Sequence, residues 1–238
     1  ANIIMSSLFQ RSLKGAYAVS TVNEVLQEKI NKFNERAILV QNGLDLPELK
    51  HAIQSFNREE VLKKNGIYDM NSKIIIYLGD LNMSYYMPEI VLKPLKKLND
   101  MGYHLIYVIV GDGRGKHLIK KMAEDLDLQD SVYLLGRKKH EDALELLLAS
   151  DVAFYSLKKG DPQSKHAIGT KVYEYIGCKL PILAIADDGS AISNFINKWG
   201  IGYFLSWNSL EGIDDALKEL LDSYKFKDNL NNNYQYFI

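Results

Sequence analysis

The sequence predicts a doubly wound α/β domain built on a parallel, Rossmann-like sheet, and three observations predict it. Six short runs, residues 73–78, 105–110, 132–135, 152–155, 182–185 and 203–205, are mostly continuous and rich in Ile, Val and Tyr rather than alternating. Strands of that kind are buried on both faces, as in parallel sheets. Between them lie segments with apolar residues at helical spacing, and strand–helix alternation marks an α/β fold. Glycines follow three of the runs at their carboxyl ends, where open α/β sheets bind ligands.

Taken in order, residues 16–21 and 37–40 are strand-like but too few to make a domain alone. Residues 1–45 therefore read as part of a neighbouring domain. Residues 46–70 are largely polar and charged, with one short helix pattern, Arg58–Lys64, ended by Gly66; the expectation is a linker. The α/β domain is expected over 71–225. In residues 89–101 a helical pattern contains Pro94, which either kinks the helix or delays its start. Residues 117–126 place Leu118, Ile119, Met122, Ala123 and Leu126 on one stripe, and residues 140–149 do the same with Ala143, Leu144, Leu147 and Leu148. Residues 213–224 form a third stripe that runs to Tyr224, and 226–238 read as a tail.

Composition narrows the function. The chain has 238 residues, 47% hydrophobic, with 29 basic and 30 acidic side chains. A near-neutral balance argues against a general nucleic-acid binder. One cysteine, Cys178, excludes an intramolecular disulfide and a cysteine-rich zinc site. No run approaches 18 apolar residues, so no membrane-spanning helix is expected. Both ends read as cut points, and the chain is expected to be a piece of a longer protein. The histidines and carboxylates show no ligand spacing, so no metal is expected, and His51, His104, His117 and His140 are expected on surfaces or in turns.

The three glycine-marked ends are Gly79-Asp80-Leu81, Gly111-Asp112-Gly113-Arg114-Gly115 and Gly136-Arg137. None opens a G-x-G-x-x-G helix with an acidic residue about 20 further on, so a dinucleotide site is not indicated. Each could also be a turn that simply needs glycine. Residues 155–181 are more informative. A loop carrying Lys158, Lys159, Lys165 and His166 leads to Gly169-Thr170, which opens a helix bearing Lys171, Glu174 and Tyr175 and ending at Gly177. Unpaired amides and the dipole at a helix N-terminus favour an anion, commonly phosphate. Glu174, one turn inside, could accept hydrogen bonds from a pair of ribose hydroxyls. The competing reading is a solvated loop with Glu174 on the surface.

These residues, in this order, resemble the C-terminal half of a GT-B glycosyltransferase, closest to the retaining family 4. That family carries an E-x7-E motif followed by A-x-G-x-P and an apolar residue. Here His166-Ala-Ile-Gly169-Thr170-Lys171-Val-Tyr-Glu174 precedes Tyr-Ile-Gly177-Cys-Lys-Leu-Pro181-Ile. Val19-Ser20-Thr21, a helix over 23–33, and Ile-Leu-Val-Gln-Asn-Gly-Leu-Asp45 are similar to the end of the family's N-terminal domain and its N-G-V-D exit. Gly111-Asp112-Gly113, Val-Tyr-Leu-Leu-Gly136 and Ala149-Ser-Asp151-Val-Ala-Phe-Tyr-Ser156 also fall in family order.

The resemblance implies a nucleotide-diphosphate sugar as donor, UDP- or GDP-linked, and no further cofactor. It implies that Glu174 holds the ribose, that Gly169 and Thr170 meet the diphosphate, that Gly79 lies against the phosphates and Gly111 at the same mouth, and that Arg137 frames the base. The acceptor, a glycan or lipid-linked sugar, would sit mostly in an N-terminal domain. A cytoplasmic place, peripheral to the inner face of the membrane, follows from the same resemblance. Two departures stand out. His166 replaces the first motif glutamate, leaving a changed contact to the donor sugar. Asp80 replaces the arginine after the first glycine, and residues 82–86 lack the family's lysine; Lys171 is expected to take over part of that neutralisation. A GT-B-like module that binds a nucleotide or a partner without catalysis is the competing function.

Overall fold

The computed structural model describes residues 2–82, 85–222 and 225–236. Its N-terminal part is α1 (Asn2–Gly15), β1 (Val19–Thr21), α2 (Glu24–Asn31) and β2 (Ala37–Leu39). β1 and β2 pair in parallel as a separate two-stranded sheet. The Asn23 side chain accepts from the Leu26 amide and so starts α2, the usual work of an Asn at that position. The sequence reading did not foresee α1.

Residues 46–70, expected as a linker, instead carry α3 (Leu46–Ser55) and α4 (Arg58–Lys64). Leu49, Ala52, Val61, Leu62 and Ile67 from this stretch belong to the main apolar core. Charged residues had masked a helical stripe. Asp45 and Glu48 mark its start: the Asp45 carboxylate accepts from the Glu48 amide. Arg58 locks the stretch in place by donating to the carbonyls of Ala149, Met70 and Ser72. Ile67 is fully buried. Ile67→Val should therefore cost about 1 kcal/mol in chemical denaturation, the scale for deleting one core methyl group. A linker residue would show no change.

The second sheet follows: β3 (Lys73–Leu78), a 3-10 turn at Pro88–Val91, α5 (Leu92–Asp100), β4 (Leu105–Val110), α6 (Lys116–Asp125), β5 (Val132–Gly136), α7 (His140–Leu148) and β6 (Val152–Ser156). The chain continues through α8 (Thr170–Gly177), β7 (Ile182–Ala186), α9 (Ala191–Trp199), β8 (Gly202–Ser206), α10 (Ile213–Asp222) and α11 (Lys225–Asn233). The six strands run parallel in the order β5-β4-β3-β6-β7-β8. The chain starts in the middle, winds outward one way, and returns to wind the other way, so the order reverses between β3 and β6. Such a reversal leaves a crevice beyond the carboxyl ends.

Strand side chains alternate between faces, and the continuous runs serve two cores. Ile74, Ile76 and Leu78 face one core with Ile106, Val108 and Val110. Ile75 and Tyr77 face the other with Tyr107 and Ile109. The first core is covered by α3, α4, α7, α8 and α9, and the second by α5, α6 and α10. Pro94 falls in the first turn of α5, so the helix starts late and does not kink; a first-turn Pro forfeits no intrahelical bond.

Two further helices, beyond α1 and α3, went unforeseen. α9 has Ser190 as its cap and a left-handed Gly200 at its end, a start and stop signal of ordinary kind. α11 occupies much of the expected tail, with Phe226 and Leu230 buried and the Asn229 side chain donating to the Gly200 carbonyl. Tyr224 lies outside the described residues. Among the described residues no helix is long and apolar enough to cross a membrane.

Candidate functional site

The three glycine-marked strand ends meet in space. The Gly79 amide donates to the Val110 carbonyl, and the Gly111 amide to the Gly136 carbonyl. Gly111 has φ +154°, and a Cβ there would lie 1.8 Å from the Gly79 carbonyl oxygen. Only glycine fits that approach. The loops after β3, β4 and β5 are therefore stitched side by side, with little side chain above them.

Helix α8 comes to the same mouth. Tyr175 is buried, and its hydroxyl takes the Leu78 amide at 3.1 Å at the end of β3. Burial pushes this hydroxyl well above the ordinary tyrosine range, so it stays a neutral tether. The Gly169 amide donates to the Tyr155 hydroxyl at 3.0 Å. Thr170, the first residue of α8, is exposed. A cavity of about 240 Å³ lies in front, lined by Gly79, Gly111, Arg137, Lys138, His140 and Lys171, with Leu78, Val110 and Ala143 behind. Four residues singled out from the sequence thus share one cavity, and Lys138 adds a cation that sequence reasoning missed.

Glu174 is buried directly beside it. Its Oε1 accepts from Lys171 Nζ at 2.8 Å and lies 3.4 Å from His140 Nε2. Its Oε2 is buried with no hydrogen-bond partner. A buried carboxylate oxygen without a donor is costly, so its retention points to a ligand hydroxyl. The solvated-surface reading of Glu174 is overturned. His140, expected on the surface, is exposed, and from there it bridges Glu174 to Glu48 of α3, whose Oε2 is 2.7 Å from His140 Nδ1.

Other expectations divide. Asp80 is exposed, and its Oδ1 accepts from the amide and side chain of Asn82, so it caps its own turn away from the cavity. Met83 and Ser84 of the lysine-free stretch lie outside the described residues. Lys158, Lys159 and Lys165 do not line the cavity; Lys159 reaches Asn208 instead. His166 packs against α2: its carbonyl accepts from Asn23 Nδ2 and its ring stands 3.1 Å from Lys29 Nζ. Burial, with Lys29 nearby, lowers its pKa, which favours the neutral ring. Cys178 is buried and its thiol is pushed up to about 12, so it is no nucleophile. Among the described residues no group of three His, Cys, Asp or Glu side chains could hold a metal ion.

A larger hollow, about 590 Å³, lies at the sheet edge between α6 and β5, with Ala123, Val132 and Leu134 as floor. It has no buried, unpartnered polar atom comparable to Glu174 Oε2. The smaller cavity combines glycine backbone and cations, with the Glu174 carboxylate against its Lys171 and His140.

A doubly wound parallel sheet with such a mouth matches the Rossmann-like fold of GT-B glycosyltransferases. The chain belongs to the family described as glycosyl transferases group 1, which matches residues 57–236. It is 23% identical over 229 residues to the N-acetyl-alpha-D-glucosaminyl L-malate synthase of Bacillus anthracis, covering 96% of this chain and 55% of that protein. A glycosyltransferase from Rickettsia africae superposes with TM-score 0.74 at 15% identity, over 96% of this chain and 62% of that one. Anabaena HepE in complex with UDP-glucose superposes with TM-score 0.69 at 13% identity, over 96% of this chain and 64% of that one. The chain thus spans between about a third and two thirds of the length of the relatives it matches.

Proposed function

We propose that this chain is the nucleotide-sugar-binding half of a retaining, family 4-like glycosyltransferase that moves a hexosyl unit to a glycan or lipid-linked acceptor in polysaccharide assembly. The carrying observation is the cavity that gathers Gly79, Gly111, Arg137 and Lys171 beside the unpartnered oxygen of Glu174. The donor is a UDP- or GDP-sugar. Gly79 and Gly111 leave room for the phosphates, and the start of α8 at Gly169 and Thr170 turns its dipole toward them. Arg137 frames the base, Lys138 and Lys171 offset the diphosphate charge, and Glu174 accepts from the ribose. The acceptor is held by an N-terminal domain of which residues 1–45 are a part, in the cytoplasm and peripheral to the membrane. Transfer needs both reactants aligned and water excluded, so this chain alone would transfer sugar only slowly.

Lys171 pairs with Glu174. Binding exchanges that pair: Lys171 swings to phosphate and Glu174 turns to the ribose. Lys171→Ala is expected to weaken UDP about tenfold, the value of one charge-assisted contact. Affinity for uridine should stay unchanged, and added salt should shrink the difference. Equal losses for both ligands in calorimetry would return Lys171 to a structural role.

The competing module without catalysis draws on Asp80 and His166. A titration with UDP- and GDP-sugars, followed by a transfer assay on the full-length protein, decides between them. Binding with no transfer would favour the module.

A further inference from the structure

We infer that His140 is a positioning residue of the nucleotide site: held by Glu48, it keeps the Glu174 carboxylate aimed at the ribose once Lys171 has turned to phosphate. The inference rests on the function proposed above and extends it to two residues that no sequence signal assigned.

Three contacts carry it. Glu174 Oε1 has Lys171 Nζ at 2.8 Å and His140 Nε2 at 3.4 Å. His140 Nδ1 has Glu48 Oε2 at 2.7 Å. Glu174 Oε2 has no partner. His140 thus stands between two carboxylates, at hydrogen-bond distance from Glu48 and at ion-pair distance from Glu174. Arg137, Lys138 and Lys171 line the same cavity as His140, Lys139 precedes it in the chain, and on α7 Glu141 pairs with His51 and Asp142 with Lys64.

The logic is one of replacement. Lys171 supplies the hydrogen bond to Glu174 Oε1. A bound diphosphate draws that lysine away and would leave a buried carboxylate with no protein donor, a costly state. His140 comes from a different helix, α7, and does not leave with Lys171. Its other nitrogen is anchored on α3. A helix that reads as linker in the sequence thereby supports the side chain that reads the ribose.

Calorimetry on the full chain tests this, with UDP (or GDP, whichever the unmodified protein binds) and the same nucleotide lacking both ribose hydroxyls. His140→Ala should weaken the complete nucleotide about three- to tenfold, the effect of one typical hydrogen bond, and leave the deoxygenated one unchanged. His140→Gln keeps a donor toward Glu174 and should recover part of the loss. Glu48→Ala should move affinity the same way by less, and it supplies the test if His140→Ala does not fold. An equal loss for both nucleotides, or none for His140→Ala while Glu174→Ala loses ribose-dependent affinity, overturns the inference alone. Failure of Glu174→Ala to change affinity, or no binding of either nucleotide, overturns the functional reading and the inference with it.

Discussion

Gly111→Ala is expected to destabilise the chain by roughly 3–5 kcal/mol and to abolish nucleotide binding. The new Cβ would lie 1.8 Å from the Gly79 carbonyl oxygen, in a backbone conformation at φ +154° that side chains rarely adopt. Strain at such a φ and overpacking each cost about 1–3 kcal/mol. Neither loop can retreat cheaply. Gly79 is bound to Val110, and Gly111 to Gly136, through backbone hydrogen bonds. A urea melt measures the loss, and Gly43→Ala, with nothing within 4 Å of its new Cβ, is the near-neutral control. A cost below about 1 kcal/mol for Gly111→Ala would mean that the three loops are not a rigid stack.

Glu174→Ala is expected to separate binding from stability. Affinity for the nucleotide should fall by about 1–3 kcal/mol, the value of a hydrogen-bonded buried carboxylate, and transfer by the full-length enzyme should fall with it. Stability without nucleotide should change far less, because Oε2 has no partner to lose and Oε1 gives up only a part-exposed lysine and histidine. A carboxylate kept at no structural benefit is what a stability–function trade-off leaves behind. Unchanged affinity in calorimetry would reject the ribose role. A large loss of stability with unchanged affinity would make Glu174 a structural residue.

Much of the fold was legible because parallel strands buried on both faces leave continuous apolar runs. Residues 73–78 and 105–110 match β3 and β4 end to end. The elements that escaped are amphipathic and cover the sheet from outside. In α3, α9 and α11 the outward face is polar, so the stripe is diluted, and only caps such as Asp45 and Ser190 announce them. Residues 46–70 read as a linker for that reason, although Leu62 and Ile67 are fully buried.

The candidate site divides along the same line. Local chemistry was readable in the chain: glycines after strands, a helix opening at Gly169-Thr170, and Lys171 and Glu174 within its first two turns all lie close together in sequence. Which cations share a cavity was decided only by the tertiary structure. Lys158, Lys159 and Lys165 sit in the loop leading to α8 yet do not line the cavity, while Arg137 and Lys138 come from the end of another strand. The pairing of Glu48, His140 and Glu174 joins three helices separated by 92 and 34 positions. Sequence by itself determined that there would be a parallel sheet and where its strands end, because burial and backbone freedom are written into residue type. It could not determine which side chains converge, because that depends on strand order and helix packing, which place distant residues within hydrogen-bonding reach.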